Sequence, residues 1–184
     1  MEARQTNAPQ TETQQQTEAL SACRTLAERM RAYQPPAWDL LPDLGLYMDQ
    51  VITFLERQLS PLHPAGRKEK ILTPAMVNNY VKMQVIPRPT GKKYERGHLA
   101  ALLMLCALKP VLPMDAIGRL LASQGENIRA GYEAFCAQQR AAFQQVSASL
   151  TSAEADALGC AVQASALCLA TEMLLFSPPS SEKA

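Results

Sequence analysis

Between Leu72 and Leu108 the chain carries two strong breaks in quick succession, and they leave little freedom in how this region folds. Thr73-Pro74 is a helix start: the Thr hydroxyl can accept a backbone N–H one turn on, and Pro suits the first helical position because it lacks a donor that would go unused there. From that start, Met76, Val77, Tyr80 and Val81 share one face, while Ala75, Asn78, Asn79 and Lys82 share the other. The helix must stop near Ile86-Pro87-Arg88-Pro89-Thr90-Gly91-Lys92-Lys93-Tyr94, where two prolines and a glycine exclude helix and favour a tight extended turn. A third helix then begins, with Leu99, Leu102, Leu103 and Cys106 along one side and Met104, Leu105 and Leu108 filling the rest. That pattern marks the centre of a core.

Charge is concentrated in the same place. Residues 67–96 carry eight Lys or Arg against two Glu, a net +6, between an N-terminal part at −3 and a C-terminal part at −2, so a chain of formal charge +1 hides one basic segment. Such a segment is an electrostatic footprint for a polyanion. The narrow polar face of the helix has suitable chemistry, since Asn pairs with an adenine edge and Lys reaches guanine or phosphate. Lys92 and Lys93 at the turn tip, with Tyr94 beside them and Arg88 and Arg96 at its two ends, suit phosphate contacts that fix position without reading sequence. The competing reading is a solvated helix face next to a solvated basic loop.

The runs Leu46-Tyr47-Met48-Asp49-Gln50-Val51, Leu72 through Lys82, Lys92-Lys93-Tyr94 and His98-Leu99 resemble those of an uncharacterised bacterial family, the domain of unknown function 1836. That family is in turn similar in layout to MerR-type winged helix-turn-helix regulators, whose second helix enters DNA and whose wing grips the backbone. The resemblance implies a MerR-like winged helix-turn-helix core, and the helical patterns on either side of it make the expected protein all-α, with a short N-terminal helix and a C-terminal helical hairpin extension. It implies a transcriptional regulator of double-stranded DNA. Its contact residues would be Thr73, Asn78, Asn79, Tyr80, Lys82, Arg88, Lys92, Lys93, Tyr94 and Arg96. The other open reading is a helical protein-interaction or ligand-sensing module that keeps the scaffold without binding DNA.

The expected organisation is a disordered tail at 1–15, an N-terminal helix and linker at 16–37, the helix-turn-helix domain at 38–123, a helical extension at 124–176 and a second tail at 177–184. Within the first helix, near Thr17 to Tyr33, Leu20, Cys23, Ala27 and Met30 recur at three- and four-residue steps until Pro35-Pro36 ends it. Trp38, Leu40 and Leu41 form an arm expected to dock on the core. Leu46 to Leu59, presenting Tyr47, Val51, Phe54 and Leu55, is the supporting helix, and Met114, Ile117, Leu120 and Leu121 mark another after Pro110 and Pro113. From Glu126 to Val146 the spacing is heptad-like, and Thr151-Ser152-Ala153-Glu154 reads as a capping box opening a last apolar helix. That hairpin can fold back on its own chain or pair with a second; a homodimer through the C-terminal helices matches the plan of twofold repressors.

The last helix, Leu158 to Phe176, holds one charge and is nearly long enough to span a bilayer. Ala, Ser, Thr, Gln and Cys dilute it, so burial in protein on nearly every side is expected rather than a membrane. The amino terminus has no positive start and apolar run, which points to the cytoplasm. Cys160 and Cys168 stand about 12 Å apart along a helix, too far to share one metal or disulfide. All five cysteines are therefore read as reduced core residues, and neither metal nor cofactor is expected. His63 and His98 lack a nucleophile or carboxylate at useful spacing and read as surface residues, so catalysis is not expected.

Overall fold

A computed structural model of the chain describes residues 21–63, 69–124, 127–150 and 156–176. Both expected tails and the expected capping box at Thr151–Glu154 lie outside the described residues. The chain is all-helical there: α1 (21–32), α2 (Met48–Leu59), α3 (Pro74–Lys82), α4 (Arg96–Leu108), α5 (Met114–Ser123), α6 (Ile128–Ser149) and α7 (Ala157–Phe176), with single 3₁₀ turns at Trp38–Leu40 and Ser60–Leu62. No strand occurs among the described residues.

The core is built on α4. Its residues from Leu99 to Leu105 are all buried, which its apolar character on every side requires. α2 packs against it through Val51, Leu55 and Leu59, and α6 through Tyr132 and Cys136. The Trp38 arm does dock: Leu41 is buried, the Trp38 ring lies 6.2 Å from that of Tyr132, and the Tyr132 hydroxyl donates to the Pro36 carbonyl at 2.8 Å. Burial raises the Tyr132 phenol well above its usual range and pushes Tyr33 up to about 12, with the nearby Cys136 adding to both. Arg31 ties α1 to α6 by donating to the Ser147 hydroxyl at 3.2 Å.

Two local devices set the ends of α3. The Thr73 hydroxyl accepts from the Met76 N–H at 3.2 Å, as the Thr-Pro start implies. At the other end the Val85 N–H reaches the Tyr80 carbonyl (3.0 Å) and the Gln84 N–H the Val81 carbonyl (3.1 Å). This is a Schellman closure, with Gln84 at φ 59 in the left-handed position usually held by glycine. A side chain there costs about 1 kcal/mol, partly offset because glycine loses more freedom on folding. Gln84→Gly should therefore stabilise the chain by a few tenths to about 1 kcal/mol, read as a higher midpoint of thermal unfolding.

Three expectations need correction. α7, expected to be buried on nearly every side, has no buried residue. Cys160 is exposed and Cys23, Cys106 and Cys168 are only partly covered; Cys136 alone of the five is buried, and all five are free thiols. His98 is no surface residue: its Nδ1 accepts from the Glu95 N–H at 3.1 Å, and its ring stands edge-on to Tyr94 at 5.7 Å.

Candidate nucleic-acid interface

α3 is held by one face and free on the other. Val77 and Tyr80 are buried in the same core cluster as the apolar residues of α2 and α4, while Asn78, Asn79 and Lys82 are exposed. The side chains of Asn78 and Lys82 make no hydrogen bond or ion pair with any described residue, and the Asn79 side-chain amide reaches only the Met83 sulfur at 3.4 Å. Exposed polar groups on a helix fixed from behind are available to a partner without reorganisation of the backbone.

The basic turn is tighter than a wing. Gly91 (φ 57) and Lys92 (φ 64) are both left-handed, and the Lys93 N–H returns to the Thr90 carbonyl at 3.0 Å. That is a two-residue hairpin turn of type I′. Pro87 and Pro89 have no N–H to continue a ladder, so the hairpin is confined to the Thr90–Lys93 bridge. Its base is anchored by a second bridge, in which Leu46 and Tyr94 exchange N–H···O bonds of 2.9 and 2.8 Å. Gly45 makes this approach possible, since a Cβ there would stand 2.9 Å from Lys93 Cβ. Sequence reasoning assigned no such role to Gly45 or Leu46, because it depends on a partner almost fifty residues away.

The expected contact residues divide into two groups. Asn78, Asn79, Lys82, Arg88, Lys92 and Lys93 are exposed. Lys93 also lies over the Tyr47 ring, with Nζ 5.6 Å from its centroid, which sets its ammonium beside the N-terminus of α2. The others serve the fold. Tyr80 and Tyr94 are each 4% exposed and belong to the core, so neither ring can be offered to a duplex. Their amphipathic rings fill space behind α3 and beneath the turn; burial raises the Tyr94 phenol, and the Lys109 ammonium caps the Tyr80 ring at 5.9 Å. Thr73 uses its hydroxyl for the helix cap. Arg96 is turned inward, 3.8 Å from Asp39 and 6.0 Å from the Trp38 ring centroid, which holds the arm rather than the turn.

Beside the C-terminal end of α3 opens a cleft of about 610 Å³, lined by Val85, Ile86, His98, Gly118, Leu121 and Ile128 among others. His98 Nδ1 is an acceptor, so Nε2 carries the proton of the neutral ring; Nε2 is buried and has no hydrogen-bond partner among the described residues. On the far side of α4, burial pushes the Cys106 thiol up to about 12 despite the opposing pull of Lys109. No group of three His, Cys, Asp or Glu among the described residues is placed to hold a metal.

Residues 36–145, more than half of the chain, match the family model described as Domain of unknown function (DUF1836). The chain belongs to that family. Neither a curated protein nor a solved structure matches it. The DUF1836 region takes in the Trp38 arm, α2 to α5 and most of α6, and leaves out α1 and α7. It thus includes both α3 and the basic turn, together with the core residues that fix them.

Proposed function

We propose that this DUF1836 chain binds duplex DNA as a transcriptional regulator, in the manner of a helix-turn-helix protein with a minimal, MerR-like wing. α3 would lie in the major groove with Asn78, Asn79 and Lys82 toward base edges, and Arg88, Lys92 and Lys93 would take phosphates. The observation that carries this reading is the conformation of Lys92. A lysine in the left-handed region costs the fold about 1 kcal/mol that Gly or Asn would largely avoid, and it holds an exposed side chain, without an ion pair to any described residue, at the tip of the turn. Strain kept at an exposed, charged position fits a binding role better than a structural one. The clean division of α3 into a core face and an exposed Asn-Asn-Lys face supports the same reading.

Salt titration of duplex binding tests it. The affinity of the full chain for mixed-sequence duplex should fall steeply with salt, and Lys92→Ala with Lys93→Ala should lower the log–log slope by about 2, close to one unit for each phosphate that is no longer neutralised. No binding at low salt, or a slope unchanged in the double variant, would reject the regulator. The cleft beside α3 then favours the second reading, a ligand-sensing scaffold for a small, mainly apolar molecule.

A further inference from the structure

α7 carries a single charged residue, Glu172, yet the described residues pack mainly against one side of it. Cys168 donates its S–H to the Val111 carbonyl at 2.8 Å, the Arg119 guanidinium lies 4.4 Å over the Phe176 ring, and Cys168, Thr171, Glu172 and Leu175 are partly buried toward α5. The opposite side is exposed. There Val162, Ala166, Leu169 and Met173 recur at steps of four, three and four, with Leu158 on one flank and Leu167 and Leu174 on the other. Their exposures are high: Leu158 74%, Val162 60%, Leu167 69%, Leu169 60%, Met173 62% and Leu174 83%. Contiguous apolar surface of this extent is rare on a monomer.

We propose that this outward face of α7 is the contact surface for α7 of a second copy of the chain, in a twofold homodimer. Three features choose that occupant. The six large side chains leave on the order of 700 Å² open, which is within the range each partner contributes to a standard interface. The outward face carries no charge, because the single charged residue of α7, Glu172, is on the docked side. A twofold contact sets the same patch against itself, so a charge there would meet its like, and its absence makes the face self-complementary. Ala166 and Ala170 are small enough to let two helix backbones approach closely. A bilayer fits less well. Inserting α7 would carry Glu172 and Thr171 into hydrocarbon and tear away the Cys168–Val111 and Arg119–Phe176 contacts. The inference does not depend on DNA binding.

Sedimentation of the full chain without detergent decides it. The 20.1 kDa chain should run at twice its monomer mass at micromolar concentration. Leu169→Glu with Met173→Glu should weaken self-association on the order of a hundredfold, leaving a monomer with unchanged helical circular dichroism. Leu40→Glu, at an exposed apolar site on the Trp38 arm, should stay dimeric. If the double glutamate variant loses helix, Val162→Ser with Leu169→Ser is the milder substitute. A monomeric wild type, or a dimer that survives the α7 substitutions, would overturn the proposal. So would a wild type that is monomeric in solution and floats with phosphatidylcholine–phosphatidylglycerol vesicles, which would assign the face to a membrane.

Discussion

Leu102→Ala should cost the fold about 3–5 kcal/mol, seen as a large drop in the urea midpoint at nearly constant slope. Leu102 is fully buried on α4, the helix that touches α2, α5 and α6 together. Removing most of its side chain forfeits the transfer free energy of the deleted carbons and leaves a cavity that three packed neighbours cannot all collapse into. The loss is a large fraction of the 5–15 kcal/mol typical of a whole domain. It should therefore loosen the interface as well, since Tyr80 and Tyr94 behind α3 and the turn belong to the same cluster. Leu40→Ala gives the control: Leu40 is 74% exposed, and its truncation should change stability by no more than about 0.5 kcal/mol. Similar losses for the two substitutions would mean that α4 is not the centre of the core.

How far the sequence discloses the fold depends on the range of the interactions involved. The cap at Thr73, the two faces of α3 and the burial of α4 follow from residues within one or two turns of each other, and they agree with the structure. The tip of the turn is half legible: Gly91 announces one left-handed residue, but nothing near Lys92 announces the second. Tyr80, Tyr94 and Arg96 mislead because their residue types serve DNA contacts and core packing equally well. What separates the roles is the Leu46–Tyr94 bridge and the Asp39–Arg96 pair, both made with distant residues. α7 misleads for a different reason. A helix without a polar side implies that something covers it, but the pattern is silent on whether the cover comes from the same chain, a second copy or a bilayer.

Charge reversal at Lys82→Glu, Arg88→Glu and Lys92→Glu together should abolish measurable duplex binding, a loss of more than about a hundredfold at low salt. All three side chains are exposed and make no ion pair with a described residue, so the reversals should alter thermal stability little. Their effect on binding should be large, because each replaces attraction to a phosphate by repulsion at the same point. Total charge alone does not account for this. The triple reversal moves the formal charge of the chain from +1 to −5, and the same shift can be produced by Arg24→Glu, Arg57→Glu and Arg140→Glu on α1, α2 and α6. If a specific surface carries the contact, the second set should weaken binding only modestly, and that weakening should fade as salt rises above about 0.1 M and screens charges more than some 10 Å away. Equal losses from the two sets would show a nonspecific response to net charge and would deprive α3 and the basic turn of their proposed role.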